Sequence, residues 1–254
     1  MYIEDNAMKK EKRNIPITPH ERLKRLYYFM FGLTIVLGIG NVIYLGYQPD
    51  TTVASIAFCV LQYAVMLALL TLPIIIRRRF LVNIPLLLIV VVAVFAFTAM
   101  IMGDGLNFYG KYPWWDSALH FLSGLVLAVL GLWILHLLFA DDDSSVFKNR
   151  WFVGLYILFF GLGCGALWEI MEFSFDDIFG TNTQQYMETT TASIYTALDR
   201  PLEGHAALED TMNDLFLDFF GSLMIAIYAF VNHDKLVEKH NALLSGDDSS
   251  SPLT

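Results

Sequence analysis

The stretch "WWDSALHFLSGLVLAVLGLWILHLLF", residues 114–139, decides the fold. Beyond Asp116 it is a continuous apolar run with no alternation of polar and apolar residues. A bilayer core of roughly 30 Å, crossed at ~1.5 Å per residue, needs ~20 such residues, so the run reads as a membrane-spanning helix. It nevertheless carries an acid and an imidazole, Asp116 and His120, four residues apart and therefore on one helix face.

Five further runs of the same kind flank it, giving spans at about 26–46, 54–76, 80–102, 116–139, 151–173 and 211–231. The composition agrees: 56% of the 254 residues are hydrophobic and 16% charged, too apolar for a water-soluble domain. Only helices and closed barrels satisfy every backbone group in lipid, and runs without alternation exclude the barrel. The expected fold is an all-α, polytopic bundle of six transmembrane helices. The expected divisions are a basic cytoplasmic tail at 1–25, the membrane domain at 26–231, and a partly disordered cytoplasmic tail at 232–254.

The net charge of −9 acquires meaning only when divided by side of the membrane. Lys and Arg concentrate in 9–25, in Arg77–Arg79, in Lys148 and Arg150, and in Lys235 and Lys239, all on alternate connections. The positive-inside rule makes that side the cytoplasm, with both termini inside. The other loops hold only Lys111 and Arg200. Charge of this kind points to lipid head groups and not to nucleic acid. Cys59 and Cys164 fall within spans without a redox or metal-finger spacing and read as packing residues.

The remaining misplaced acids lie on two other helices. The fifth span ends in "GCGALWEIMEF", residues 163–173, with Glu169 and Glu172 three apart. The sixth opens "LEDTMNDLFLDFFGSLM", residues 208–224, with Asp210, Asp214 and Asp218 in one stripe. Helix rise puts His120, Glu169 and Asp214 at nearly one depth, in the outer third of the membrane. Asp116 and Asp210 also sit where helix N-caps belong, so for these two capping and a site role both stand. Glu169 and Asp218 have no such alternative, since an unpaired ion at that depth costs at least ~2.5–3.5 kcal/mol. No Lys or Arg lies within the spans to compensate them, leaving a bound divalent cation, protonation, or a charged His120. Gly161 and Gly165 would let a neighbouring helix approach just beneath Glu169. The long connection 174–209, with Gln184, Gln185, Tyr186 and His205, is a candidate lid over the outer mouth.

"DSALHFLSG", "WEIMEF" and "DTMNDLFLDFFGSL" together resemble the YjdF-like family of bacterial inner-membrane proteins over roughly residues 80–231 and, more remotely, the VanZ-like family. The VanZ-like pattern would carry over Asp116, His120, Phe121, Glu169, Asp214 and Gly221; Asp218 stands where that pattern has Asn. The resemblance implies a bacterial cell membrane and an envelope role, not a reaction.

Two classes of function remain. The first is a metal-dependent hydrolase or transferase acting on an envelope lipid or lipid-linked substrate. His120, Glu169, Glu172, Asp214 and Asp218 would be the metal ligands, Glu169 a general base, and Asp116 an orienting partner of His120. Mixed carboxylate and imidazole ligands suit Zn, Mn or Fe, and a more carboxylate-rich set Mg. The second is a proton- or cation-coupled transporter, which ranks lower because the inner half of every span is apolar and no inverted repeat is evident. A non-catalytic assembly protein with a structural metal clasp completes the set. The expected orientation is directly testable: a cysteine placed at Thr190 should label from outside the cell, and one at Ser145 should not. The reverse pattern would put the acidic site on the cytoplasmic face.

Overall fold

The computed structural model describes residues 18–49, 51–80, 84–139, 147–188 and 200–245. Among these, six helices are long and apolar enough to cross a membrane, and the fold is an all-α membrane bundle. In chain order they are α1 (Pro19–Gly46), α2 (Val53–Phe80), α3 (Leu86–Ala96) with a π-helical continuation Phe97–Gly105, the short α4 (Phe108–Lys111), α5 (Trp115–Leu138), α6 (Arg150–Phe179), α7 (Glu209–Val231) and α8 (His233–Ser245). Six successive crossings return the chain to the end at which it started.

Local chemistry sets the ends. Thr18 accepts from the Glu21 amide with Pro19 in the first turn, so α1 begins seven residues before the apolar run and absorbs the expected tail residues 19–25. Asn149 accepts from the amides of Trp151 and Phe152 at the start of α6. That helix runs past the expected limit to Phe179 and stops at Gly180, whose φ of 64° suits a residue without Cβ. Helix α2 continues to Phe80, so Arg77–Arg79 are helical and the third span starts at Leu86, not at 80. The expected C-terminal tail contains helix α8, whose Leu236 and Val237 pack on the buried Ala229 cluster. Residues 1–17 and 246–254, and the probe positions Ser145 and Thr190, lie outside the described residues.

The helices pack as two units. In one, α1, α2 and α3 enclose a core that includes Met30, Phe58, Tyr63, Met66 and Ile101. In the other, α5, α6 and α7 meet closely along their lengths around Ala128, Ile157 and Ala226. The seam between the units is bridged where α3 meets α5 and α2 meets α6, and by Phe175 and Phe179 packed against Phe58.

The close packing of the second unit depends on glycines. A Cβ at Gly221 would strike the Phe121 carbonyl and lie 3.1 Å from the Gly124 Cα, while one at Gly124 would strike the Asp218 carbonyl. Helices α5 and α7 are therefore in backbone contact. On α6, Gly161 faces Ser222 and Gly165 faces the Asp218 carboxylate, as the small-residue spacing led us to expect. Gly163, on the opposite side of the same helix, has open space. Gly221→Ala should accordingly cost about 3 kcal/mol or more of stability in detergent, near the upper end for overpacking, whereas Gly163→Ala should stay within ~1 kcal/mol of the parent. Equal effects from the two substitutions would contradict the packing scheme.

Candidate metal centre

Three helices deliver their polar residues to one point in the second unit. Asp116 and His120 come from the first two turns of α5, Glu169 from the latter part of α6, and Asp214 and Asp218 from α7. His120, Glu169, Asp214 and Asp218 are all buried, with Asp218 fully enclosed.

The imidazole divides the cluster in two. On one side His120 Nδ1 lies 3.2 Å from Asp218 Oδ2, within hydrogen-bond distance. The Ser123 hydroxyl holds Asp218 in turn through Oδ1 and lies 2.6 Å from the His120 carbonyl. On the other side Nε2 faces three carboxylates: Asp214 at 3.6 Å, Asp116 at 3.7 Å and Glu169 at 3.9 Å. These separations are too long for hydrogen bonds. The Asp214 separation equals the upper end of the ~3.3–3.6 Å edge of a tetrahedron built from metal–ligand bonds of ~2.0–2.2 Å, and those of Asp116 and Glu169 exceed it by 0.1 and 0.3 Å. Asp116, His120 and Asp214 offer ligand atoms within 4.8 Å of one another and could hold a metal ion.

Glu169 strengthens that geometry. Both of its oxygens are buried without a hydrogen-bond partner, and Asp214 Oδ2 is in the same condition. The neighbouring Thr211 hydroxyl accepts from the Gln184 amide at 3.0 Å, which leaves its own proton directed to Glu169 as a neutral donor nearby. A carboxylate left so in the interior of a membrane bundle requires either a cation or a proton.

The expected ligand set is thus reordered in space. Asp116 stands on the Nε2 side among the candidate ligand atoms, whereas Asp218 stands on the Nδ1 side. Capping is not what Asp116 and Asp210 do. The N-cap positions of α5 and α7 are Trp114 and Leu208, and neither makes a side-chain cap. Asp116 and Asp210 are joined instead by Gln185, whose side-chain amide donates to both at 2.9 Å. Glu172 does not join the cluster. It accepts from the Trp168 indole at 2.8 Å and faces a separate, adjacent chamber.

Gln185 reaches the cluster because the segment after α6 is folded on itself. Asp176 accepts from the Thr181 and Thr183 hydroxyls at 2.7 Å and from the Thr183 and Gln184 amides. Asn182 closes the turn with two hydrogen bonds to Met187, and Gln185 sits in the left-handed region at φ 51°. Strain of that kind is held where surrounding structure over-determines it. Of the candidate lid residues, Gln184 and Gln185 contact the site helices, while His205 is exposed; residues 189–199 lie outside the described chain.

Two chambers meet at the seam beside this cluster. The smaller, of ≈ 70 Å³, sets the polar groups of Gln62, Asp104, Tyr109, Asp116, Glu172 and Gln185 among apolar side chains such as Phe58, Leu61 and Phe175. Asp104 is the residue that sequence reasoning missed: it lies on the π-helical segment, just past the limit expected for the third span, and accepts from Gln62. Its flanking Gly103 and Gly105 were the available signal, since a Cβ at either would meet Tyr109 or Tyr63. Burial, and then the charges of Asp104, Asp116, Glu172 and Asp214, hold the Tyr109 phenol well above its ordinary pKa, so it remains a neutral hydroxyl. The second chamber, ≈ 260 Å³ and mostly apolar, touches His120, Ser123 and Asp218 and shares Ala99, Met100, Tyr109 and Trp168 with the first.

Comparison with known proteins agrees with the membrane fold. A Thermotoga maritima protein described as uncharacterized is 32% identical over 133 residues, which are 51% of this chain and 55% of the relative, so the chain spans little more than half the length of the relative it matches. No solved structure matches. Residues 21–235, nearly the whole bundle and every residue of the cluster, match one family model, and the chain belongs to the family described as "Predicted membrane protein (DUF2238)".

Proposed function

We propose that this membrane protein is a metal-dependent hydrolase or transferase acting on an envelope lipid or lipid-linked substrate, at the centre formed by Asp116, His120 and Asp214. The observation that carries the reading is the convergence of these ligand atoms within 4.8 Å, beside a Glu169 whose two buried oxygens have no partner. One imidazole with carboxylates favours Zn, Mn or Fe over Mg, which prefers an all-oxygen shell. Such an ion supplies Lewis acidity and lowers the pKa of water toward neutrality.

The chain's own residues supply the rest. Asp218 and Ser123 hold His120 in the tautomer that leaves Nε2 free to ligate, the carboxylate–imidazole arrangement common around metals. Gln185 fixes the second oxygen of Asp116, so the first is presented toward His120. Glu169, 3.9 Å from Nε2 and with no charged partner besides the imidazole, is placed to take a proton from attacking water. Ser123 is bonded to Asp218 on the other side of the ring from the ligand atoms, which favours activated water over a covalent nucleophile. The setting within the membrane bundle, and the apolar chamber beside the cluster, favour a substrate presented from lipid. Bacterial inner-membrane location with the site facing outward is part of the same reading.

Elemental analysis of the purified protein tests it. Stoichiometric metal is expected in the parent and its loss in the His120→Ala, Asp214→Asn double variant. Glu169→Gln should keep the metal and lose roughly 10²–10⁴-fold in turnover of a lipid-linked phosphate or ester, the usual range for a general base. Absence of metal from both proteins would move the cluster to proton coupling. Metal retained with no turnover in any variant would favour a structural clasp.

A further inference from the structure

The metal-centre chemistry assigns no specific occupant to the length of the apolar chamber beyond His120, Ser123 and Asp218. The chamber lies in the seam between the two three-helix units, with Leu69 on α2, Val92 and Phe95 on α3, and Leu127 on α5 along its length. Leu127 is two turns beyond His120, so the chamber extends about 10 Å from the cluster into the apolar half of the bundle. From the lining and its position we propose that this chamber is a binding site for the hydrocarbon chain of a membrane amphiphile, whose polar end then lies at His120 and beside the acids of the adjoining smaller chamber. The inference rests on the proposed enzyme only for what happens at the polar end.

Three observations support that occupant. Water along the chamber's length would find few partners: the polar groups of its lining, on His120, Ser123, Asp218, Tyr109 and Trp168, belong to the cluster or to the boundary with the smaller chamber, and a water needs ~2–4 polar contacts to be held. The size is sufficient, since an apolar cavity of about 150 Å³ accommodates a benzene-sized ligand and this one is ≈ 260 Å³. A whole helix, about 10–12 Å across with side chains, is too wide for it. Chains of surrounding lipid are the apolar groups present at that depth in greatest excess.

The polarity changes in the right direction along the seam. Ala99, Met100, Tyr109 and Trp168 line both chambers, so an occupant of the apolar one continues past a neutral phenol and an indole into a space bordered by Asp104, Asp116, Glu172 and Gln185. An amphiphile matches the apolar lining of both chambers and the acids at one end, whereas a purely polar solute matches neither lining. Two alanines, Ala96 and Ala99, form part of the wall and leave room that a larger side chain would fill.

The test uses Trp168, which borders both chambers. Dodecanol brominated at the chain end is added to the protein in nanodiscs, and tryptophan quenching is compared with that of Trp168→Phe. Saturable quenching attributable to Trp168 is expected, weakened at least about tenfold in Ala96→Phe, the equivalent of roughly two buried methylene groups. Leu127→Phe provides a second filling from the opposite wall, and metal content and thermal unfolding show whether each variant is folded. Saturable quenching that survives both fillings in folded protein, or quenching that does not saturate, would overturn the proposal. The proposed enzyme is judged separately, because a chamber that binds the chain in a protein without metal sustains this inference and ends that one.

Discussion

Carboxylates cannot be left alone in hydrocarbon, and the architecture of this protein reflects how that constraint is met. Four acids and one imidazole from three helices meet at one end of the bundle, and among the described residues no Lys or Arg pairs with them. Some of the compensation is visible in neutral donors: Ser123 for Asp218, Gln185 for Asp116 and Asp210, Trp168 for Glu172, Gln62 for Asp104. The demand these donors leave unsatisfied falls on Glu169, on Asp214 and on one oxygen of Asp210, the first two on the Nε2 side of His120. The residual demand for positive charge therefore has a location, and it coincides with the ligand geometry.

That location is built by small residues. Because Gly124 and Gly221 bring α5 and α7 into backbone contact, Asp218 can reach Nδ1 of His120; because Gly165 has no Cβ, the same carboxylate fits beneath α6. A single methyl at any of these positions would enter space held by the site or its supporting backbone. The three-helix unit is tight for this reason, and the looser contact between the two units leaves the seam in which both chambers lie.

Much of this was legible in the sequence. Length and apolarity gave six spans, and helix rise placed His120, Glu169 and Asp214 at one depth, where the structure brings Glu169 and Asp214 within 4 Å of the imidazole. Rotation about each helix axis was not legible, and that is what assigns Asp218 to one ring nitrogen and Asp116 to the other. Asp104 escaped for a different reason. A π-helical turn takes an extra residue per hydrogen-bonded ring, as in the Leu106 amide bonding Ile101, so counting by α-helical period misplaces the residues after Ala96. Gln185 was visible only as one polar residue in a long connection, because its position depends on Asp176 gathering hydroxyls and amides from beyond the helix end.

The central claim is that His120 Nε2 and carboxylates of Asp116 and Asp214 share one ion, with Asp218 on the far side of the ring. X-ray absorption at the edge of the bound metal tests it most directly. The account predicts an imidazole shell at about 2.0–2.1 Å with carboxylate oxygens beside it, and loss of the imidazole scattering in His120→Gln. An imidazole signal that persists in that variant, or a metal coordinated by oxygen alone in the parent, would contradict it.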